Sequence, residues 1–204
     1  MTNGPLRPLG EVAEAVFAGM APPRGDPPAN GTDIPFITVR DIGEGQVGVA
    51  EPVALLLVSD KTPIERYVVR PNDVLVAAKG SAPKVGWVGM NAAGAVASAN
   101  LLVIRPGPLL LGPVLYAILK SGSFAKLIAG ISRGVTNQIS ITARDLADLP
   151  IPVPPMDVQH RAAALIAESE AACRHAVHAA DMRRDLGLNI AVRYLLTPND
   201  REQI

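Results

Sequence analysis

Aromatic residues make up only 3% of this 204-residue chain, and cysteine occurs once, as Cys173. A single cysteine excludes an internal disulfide framework and fits a reducing cytoplasm, the expected location. With few aromatics the core must be aliphatic, and an apolar content of 49% is ample for one, which excludes a disordered chain. No apolar run is long enough to span a bilayer; Leu109-Leu110-Leu111 is bracketed by prolines and glycines. The first residues lack the basic-then-apolar layout of a signal peptide. Net charge is zero, which argues against a wholly basic nucleic-acid binder. All three histidines, His160, His175 and His178, lie late in the chain, so no Ser-His-Asp arrangement can be assembled before them. His175 and His178 have no carboxylate-and-cysteine set at metal spacing, and Cys173 has no positioned base. The expectation is a chain with no catalytic centre, no metal site and no cofactor of its own.

The residues that are present divide the chain in two. Leu9 to Phe17 has apolar residues at helical spacing. Ile34 to Ile42, Asp73 to Ala78, Val85 to Met90 and Ala95 to Ile104 read as strands, and Leu115 to Ile128 as a helix. Gly43-Glu-Gly45-Gln-Val-Gly48 fits a dinucleotide fingerprint, but Pro52 falls where the helix should open, so a hairpin turn is expected. Pro150, Pro152, Pro154 and Pro155 exclude helix interior and central strand and predict a stiff, extended hinge over residues 151–156. From there to about Leu196 no proline occurs. Asp157 is placed to cap a helix over residues 157–197, about 60 Å long, before a tail of residues 198–204. Gly187 is a place where it can bend. Val158, Leu165, Ala172, Ala179 and Leu186 recur every seven residues, and Ala162, Ala176 and Ile190 share their stripe, interrupted by Ser169 and Arg183. Such a seam predicts pairing with another helix, with folding back on the chain's own body as the alternative.

Charge is distributed unevenly. Ten Lys or Arg fall between Lys61 and Arg144, against two acids, Glu65 and Asp73. Within that window Lys79, Ser81 and Lys84 sit on one predicted loop, and Ser132, Arg133, Thr136, Asn137 and Gln138 on another. Arginine can pair bidentately with guanine and Asn or Gln with adenine, while lysine and hydroxyls suit phosphates. These residues, with Arg105, are the candidate DNA contacts. Turn and cap chemistry is the competing explanation for Ser132 and Asn137.

Several segments, taken in order, resemble a known family. They are Leu9-Gly10-Glu11-Val12-Ala13-Glu14, Pro35-Phe36-Ile37-Thr38-Val39-Arg40-Asp41-Ile42, Asp73 to Gly80, Ala97-Ser98-Ala99-Asn100-Leu101, Gly134 to Ser140, and Leu146 to Pro155 with Gln159. Their order and spacing resemble the specificity subunit of type I restriction–modification systems, in its target-recognition-domain family. The resemblance implies an α+β fold: a mixed, strand-rich target recognition domain over residues 1–150, then one long C-terminal helix that pairs in a coiled coil. It implies a non-catalytic subunit that reads double-stranded DNA for an adenine-N6 methyltransferase complex. There the methyltransferase subunit binds S-adenosylmethionine and a restriction subunit can join. Typical members have two recognition domains and two long helices, whereas this chain has one of each. It is therefore a half-subunit, a member of a related defence complex or a truncated copy, and the seam on the helix favours the first, a homodimer reading a split target, each copy one half. The alternative is a scaffold or protein-interaction module of a related defence complex without DNA readout.

Overall fold

Every residue from Val74 to Ala77 and from Leu101 to Ile104 is buried, which requires a sheet covered on both faces. The computed structural model describes residues 4–23, 28, 30–43, 45–48, 53–80, 84–131 and 139–196. In order these form β1 (Leu6–Pro8), α1 (Leu9–Val12), β2 (Ala13–Ala18), β3 (Thr32–Ile37), β4 (Gln46–Val47) and β5 (Leu55–Val58). There follow β6 (Val74–Ala77), β7 (Lys79–Gly80), β8 (Val85–Val88), β9 (Val96–Ala97) and β10 (Leu101–Pro106). The last elements are α2 (Gly112–Lys120), α3 (Gly122–Ile131), β11 (Ile139–Ser140), α4 (Ala143–Ala147), β12 (Pro150–Pro152) and α5 (Met156–Leu196).

The central sheet has the order β2-β10-β6-β8-β4, antiparallel except where β4 joins β8. Side chains alternate across it. Val74, Val76, Leu102 and Ile104 face a core closed by α1, α2, α3, α4, β12 and the first turns of α5. Leu75, Leu101 and Val103 face a second core with Ile37, Ile42, Val69 and Ala97. A smaller sheet, β5-β3-β9, carries a third cluster around Ile34, Phe36 and Val58. The strand-rich body followed by one long helix is the α+β architecture read from the sequence.

Four local expectations are corrected. Helix is limited to α1, and Ala13 to Ala18 is strand β2, not helix. Six such residues gain little as an isolated helix, whereas pairing with β10 satisfies the backbone along their length. Leu115 to Ile128 is split between α2 and α3 at Ser121, whose hydroxyl donates to the Ile118 carbonyl. The Gly43–Gly48 segment is not a hairpin. Gly45 and Gly48 take φ of +80° and +75°, and they flank a short strand, β4, that pairs parallel to β8. Finally, the proline run is extended but not free: β12 pairs antiparallel with β1, and Ile151 is buried between them and the core.

Helix α5 runs unbroken through Gly187 for 41 residues. It starts one residue earlier than expected, at Met156, and Pro155 rather than Asp157 receives the first backbone bonds, from Val158 and Gln159. Among the described residues no helix is long and apolar enough to cross a membrane.

Candidate nucleic-acid interface

The connection from β6 to β8 begins at Ala78 and ends at Lys84, whose carbonyl accepts from the Ala77 amide at 2.9 Å. In between, β7 pairs antiparallel with β11, Lys79 opposite Ser140 and Gly80 opposite Ile139. Ile141, buried in the core, extends the ladder through its amide to the Ala78 carbonyl. A capping box then turns the chain into α4: Thr142 Oγ1 accepts from the Asp145 amide, and Asp145 accepts from the Thr142 amide. The register has a direct consequence. Gly80 precedes residues 81–83 and Ile139 follows residues 132–138 in sequence, and these two bordering residues are partners on one two-stranded ladder.

Lys79 and Lys84 are exposed at this ladder. Beside it Ser140, Thr142, Arg144, Asp145 and Asp148 line an open cleft of about 590 Å³. Ser81, Ser132, Arg133, Thr136, Asn137 and Gln138 lie outside the described residues.

Arg105 differs from its expected role as a DNA contact. Its guanidinium donates from Nε to Asp73 Oδ1 at 3.0 Å, and from Nη2 to Asp73 Oδ2 at 2.8 Å and to the Val68 carbonyl at 3.0 Å. Asp73 is 1% exposed, the Arg105 side chain only 12%. The hydrogen bond to Asp73 raises the arginine pKa above its ordinary value. This is a bidentate internal pair, and it draws the cation inward. Other described cations of the basic window are also paired with acids. Arg70 pairs with Glu14, Lys120 with Glu170 and Arg144 with Asp148.

Two groups hold α5 to the body: Gln159, which the sequence marked only as part of the resemblance, and Glu170, which it did not mark. Gln159, 1% exposed, accepts from the Leu111 amide and donates to the Leu109 and Pro154 carbonyls, all within 2.9 Å. Three turns further on, Glu170 Oε1 accepts from the Tyr116 hydroxyl at 2.5 Å, and Lys120 donates to that hydroxyl at 2.7 Å. Burial, then the hydrogen bond to Glu170, pushes the Tyr116 pKa up to about 12. A raised folded-state pKa means that this contribution to stability is complete below the unfolded value of 10.0 and fades as pH climbs to about 12. Absorbance at 295 nm should show one tyrosine ionising near pH 12, and Tyr116→Phe should abolish that step.

Of the seam residues, Ala162 packs on the body's own core together with Ala163 and Ile166. It lies between the two helix faces, because a seven-residue repeat drifts about 20° per heptad around a straight helix. Val158 and Ala179 are half-buried, and Ala172 and Ala176 are exposed. Leu165, Leu186 and Ile190 are exposed by 65%, 60% and 59%.

The fold is similar to that of two solved chains. One is the HsdS subunit from Thermoanaerobacter tengcongensis (TM-score 0.56, 23% identity, 86% of this chain and 40% of that one). Another comes from work on complex assembly and conformational transition of the type I R-M system (TM-score 0.60, 21% identity, 90% of this chain and 44% of that one). Among curated proteins none matches. The chain belongs to the type I restriction modification DNA specificity domain family, whose model matches residues 6–171. It spans less than half the length of the two solved chains.

Proposed function

We propose that this chain is the non-catalytic subunit that reads DNA sequence for a type I restriction–modification complex, and that it acts on one half of a split target. The observation that carries this reading is family membership over residues 6–171. The β7–β11 ladder supports it, because Gly80 and Ile139, which border the two polar segments in sequence, are partners there, and Lys79 and Lys84 are exposed. In this reading Lys79, Lys84 and Ser81 grip phosphates. Arg133, Thr136 and Gln138 read base edges, with Ser132 and Asn137 beside them.

The helix supports the rest. Leu165, Leu186 and Ile190 lie open to solvent on α5. A second copy running antiparallel would cover them and place two bodies at opposite ends of a two-helix rod, matching a symmetric, interrupted target. The partners are double-stranded DNA, a methyltransferase subunit that binds S-adenosylmethionine, and a restriction subunit where one is present. The setting is the cytoplasm.

The test is co-purification with a type I adenine methyltransferase subunit, followed by selection of bound sequences from a random duplex pool. Recovery of a bipartite motif is expected. Failure of both co-purification and selection would leave a scaffold without readout. Lys84→Ala should weaken binding to all sequences alike and reduce the slope of log K against log salt by about 0.9 per site. A loss confined to one base position would reassign Lys84 to base reading.

A further inference from the structure

Gln159 roots α5 on the body, but one polar anchor leaves a rod free to pivot. Glu170 is eleven residues further on, about 16 Å along the axis and close to three full turns, so both side chains fall on the same side of the helix. There it meets the buried Tyr116, with Lys120 bridging to the hydroxyl. Tyr116 is itself braced by the Trp87 ring, 4.7 Å away between centroids. From the other direction the β4 edge presses on the same residue. A methyl group at Gly45 would come within 2.9 Å of the Glu170 β-carbon, at a φ of +80° that disfavours any side chain. Gly45 therefore lets the sheet edge approach the helix where Tyr116 holds it.

We propose that Glu170, held by Tyr116 and Lys120 and seated against Gly45, is a positioning residue that fixes the direction in which the long helix leaves the body. The lever is long. Leu196 lies 26 residues beyond Glu170, about 39 Å. A swing of about 10° carries the helix tip through about 7 Å, or about two base-pair steps of 3.4 Å. The consequence for DNA rests on the reading in the preceding subsection: in a paired rod, this joint sets the separation of the two half-sites.

The test uses the full chain with Cys173→Ser, Asn91→Cys and Asn189→Cys, nitroxide-labelled and diluted with unlabelled chain, and reads the body-to-helix distance distribution by dipolar spectroscopy. The parent should give one narrow distribution. Glu170→Ala and Tyr116→Phe should each widen it, by about 5 Å for a swing of about 10°, because residue 189 lies about 29 Å beyond Glu170. Gly45→Ala should move its centre, and the exposed Glu168→Ala should change nothing. Tyr116→Phe keeps the ring in the core, so a folding failure of Glu170→Ala alone does not decide the matter. Unchanged widths in both anchor variants overturn the proposal. On DNA, the parent should select one spacer and Glu170→Ala should tolerate spacers about two base pairs longer or shorter. If the parent binds no DNA, the proposed function fails while the distance distributions still decide the joint.

Discussion

Replacing Leu186 and Ile190 together by glutamate is expected to leave the body folded and to convert the proposed dimer into a monomer by light scattering. Both side chains are well exposed on α5, beyond the turns that Gln159 and Glu170 hold to the body. Burying such a side chain contributes about 1.5–3 kcal/mol. A two-fold interface uses every position twice, so the pair of substitutions removes four apolar contacts and puts four carboxylates in their place. Losing one half of a bivalent reader should cost about 10²- to 10⁴-fold in affinity for the complete target. Affinity for an isolated half-site should hold. An unchanged molar mass would assign the pairing to another surface.

Arg105→Ala is expected to lower stability rather than DNA affinity. It leaves Asp73 buried without the cation that neutralises it, although the Arg70 amide still donates to its carboxylate at 2.8 Å. Breaking a buried pair from one side costs about 3–5 kcal/mol. For a body of this size that lowers the unfolding midpoint by roughly 6–20 °C. Circular dichroism melts would measure it. Replacing both partners with apolar residues, as in Asp73→Leu with Arg105→Met, should recover much of the loss, since a well-packed apolar pair is often as stable as the ion pair. Below the melting range, Arg105→Ala should bind DNA as the parent does. A marked loss of affinity there would restore Arg105 to the interface.

These two residues show what a sequence can and cannot disclose. The strands around Val74 and Leu101 were legible because residues buried on both faces form unbroken apolar runs. The long helix was legible from the absence of proline and the recurrence of alanine. Arg105 looked like one cation among ten because its partner is 32 residues away, and nothing local marks Asp73 as buried. Glu170 was equally silent, and Gln159 was legible only as part of the resemblance and not as an anchor, since their long-range partners lie in α2 or the loop before it, some fifty residues earlier in the chain. Strand β2 was read as helix because Ala13 to Ala18 suits either period, and only β10 decides between them. The two polar segments were picked out by residue type, but the partnership of Gly80 and Ile139, which border them, came from a pairing across sixty residues.

Strands β1 and β12 lie side by side, with Leu6 opposite Pro152. The polypeptide thus goes into the recognition body and comes out of it at one doorway. Everything between those two points is a closed loop on a single stalk, and it touches the helix beyond the stalk through few groups, Tyr116 and Lys120 at Glu170 and the Leu109–Leu111 backbone at Gln159 among them. A different loop with the same doorway, and with groups matching Gln159 and Glu170, could be grafted on to change what is read without changing how far apart two readers stand.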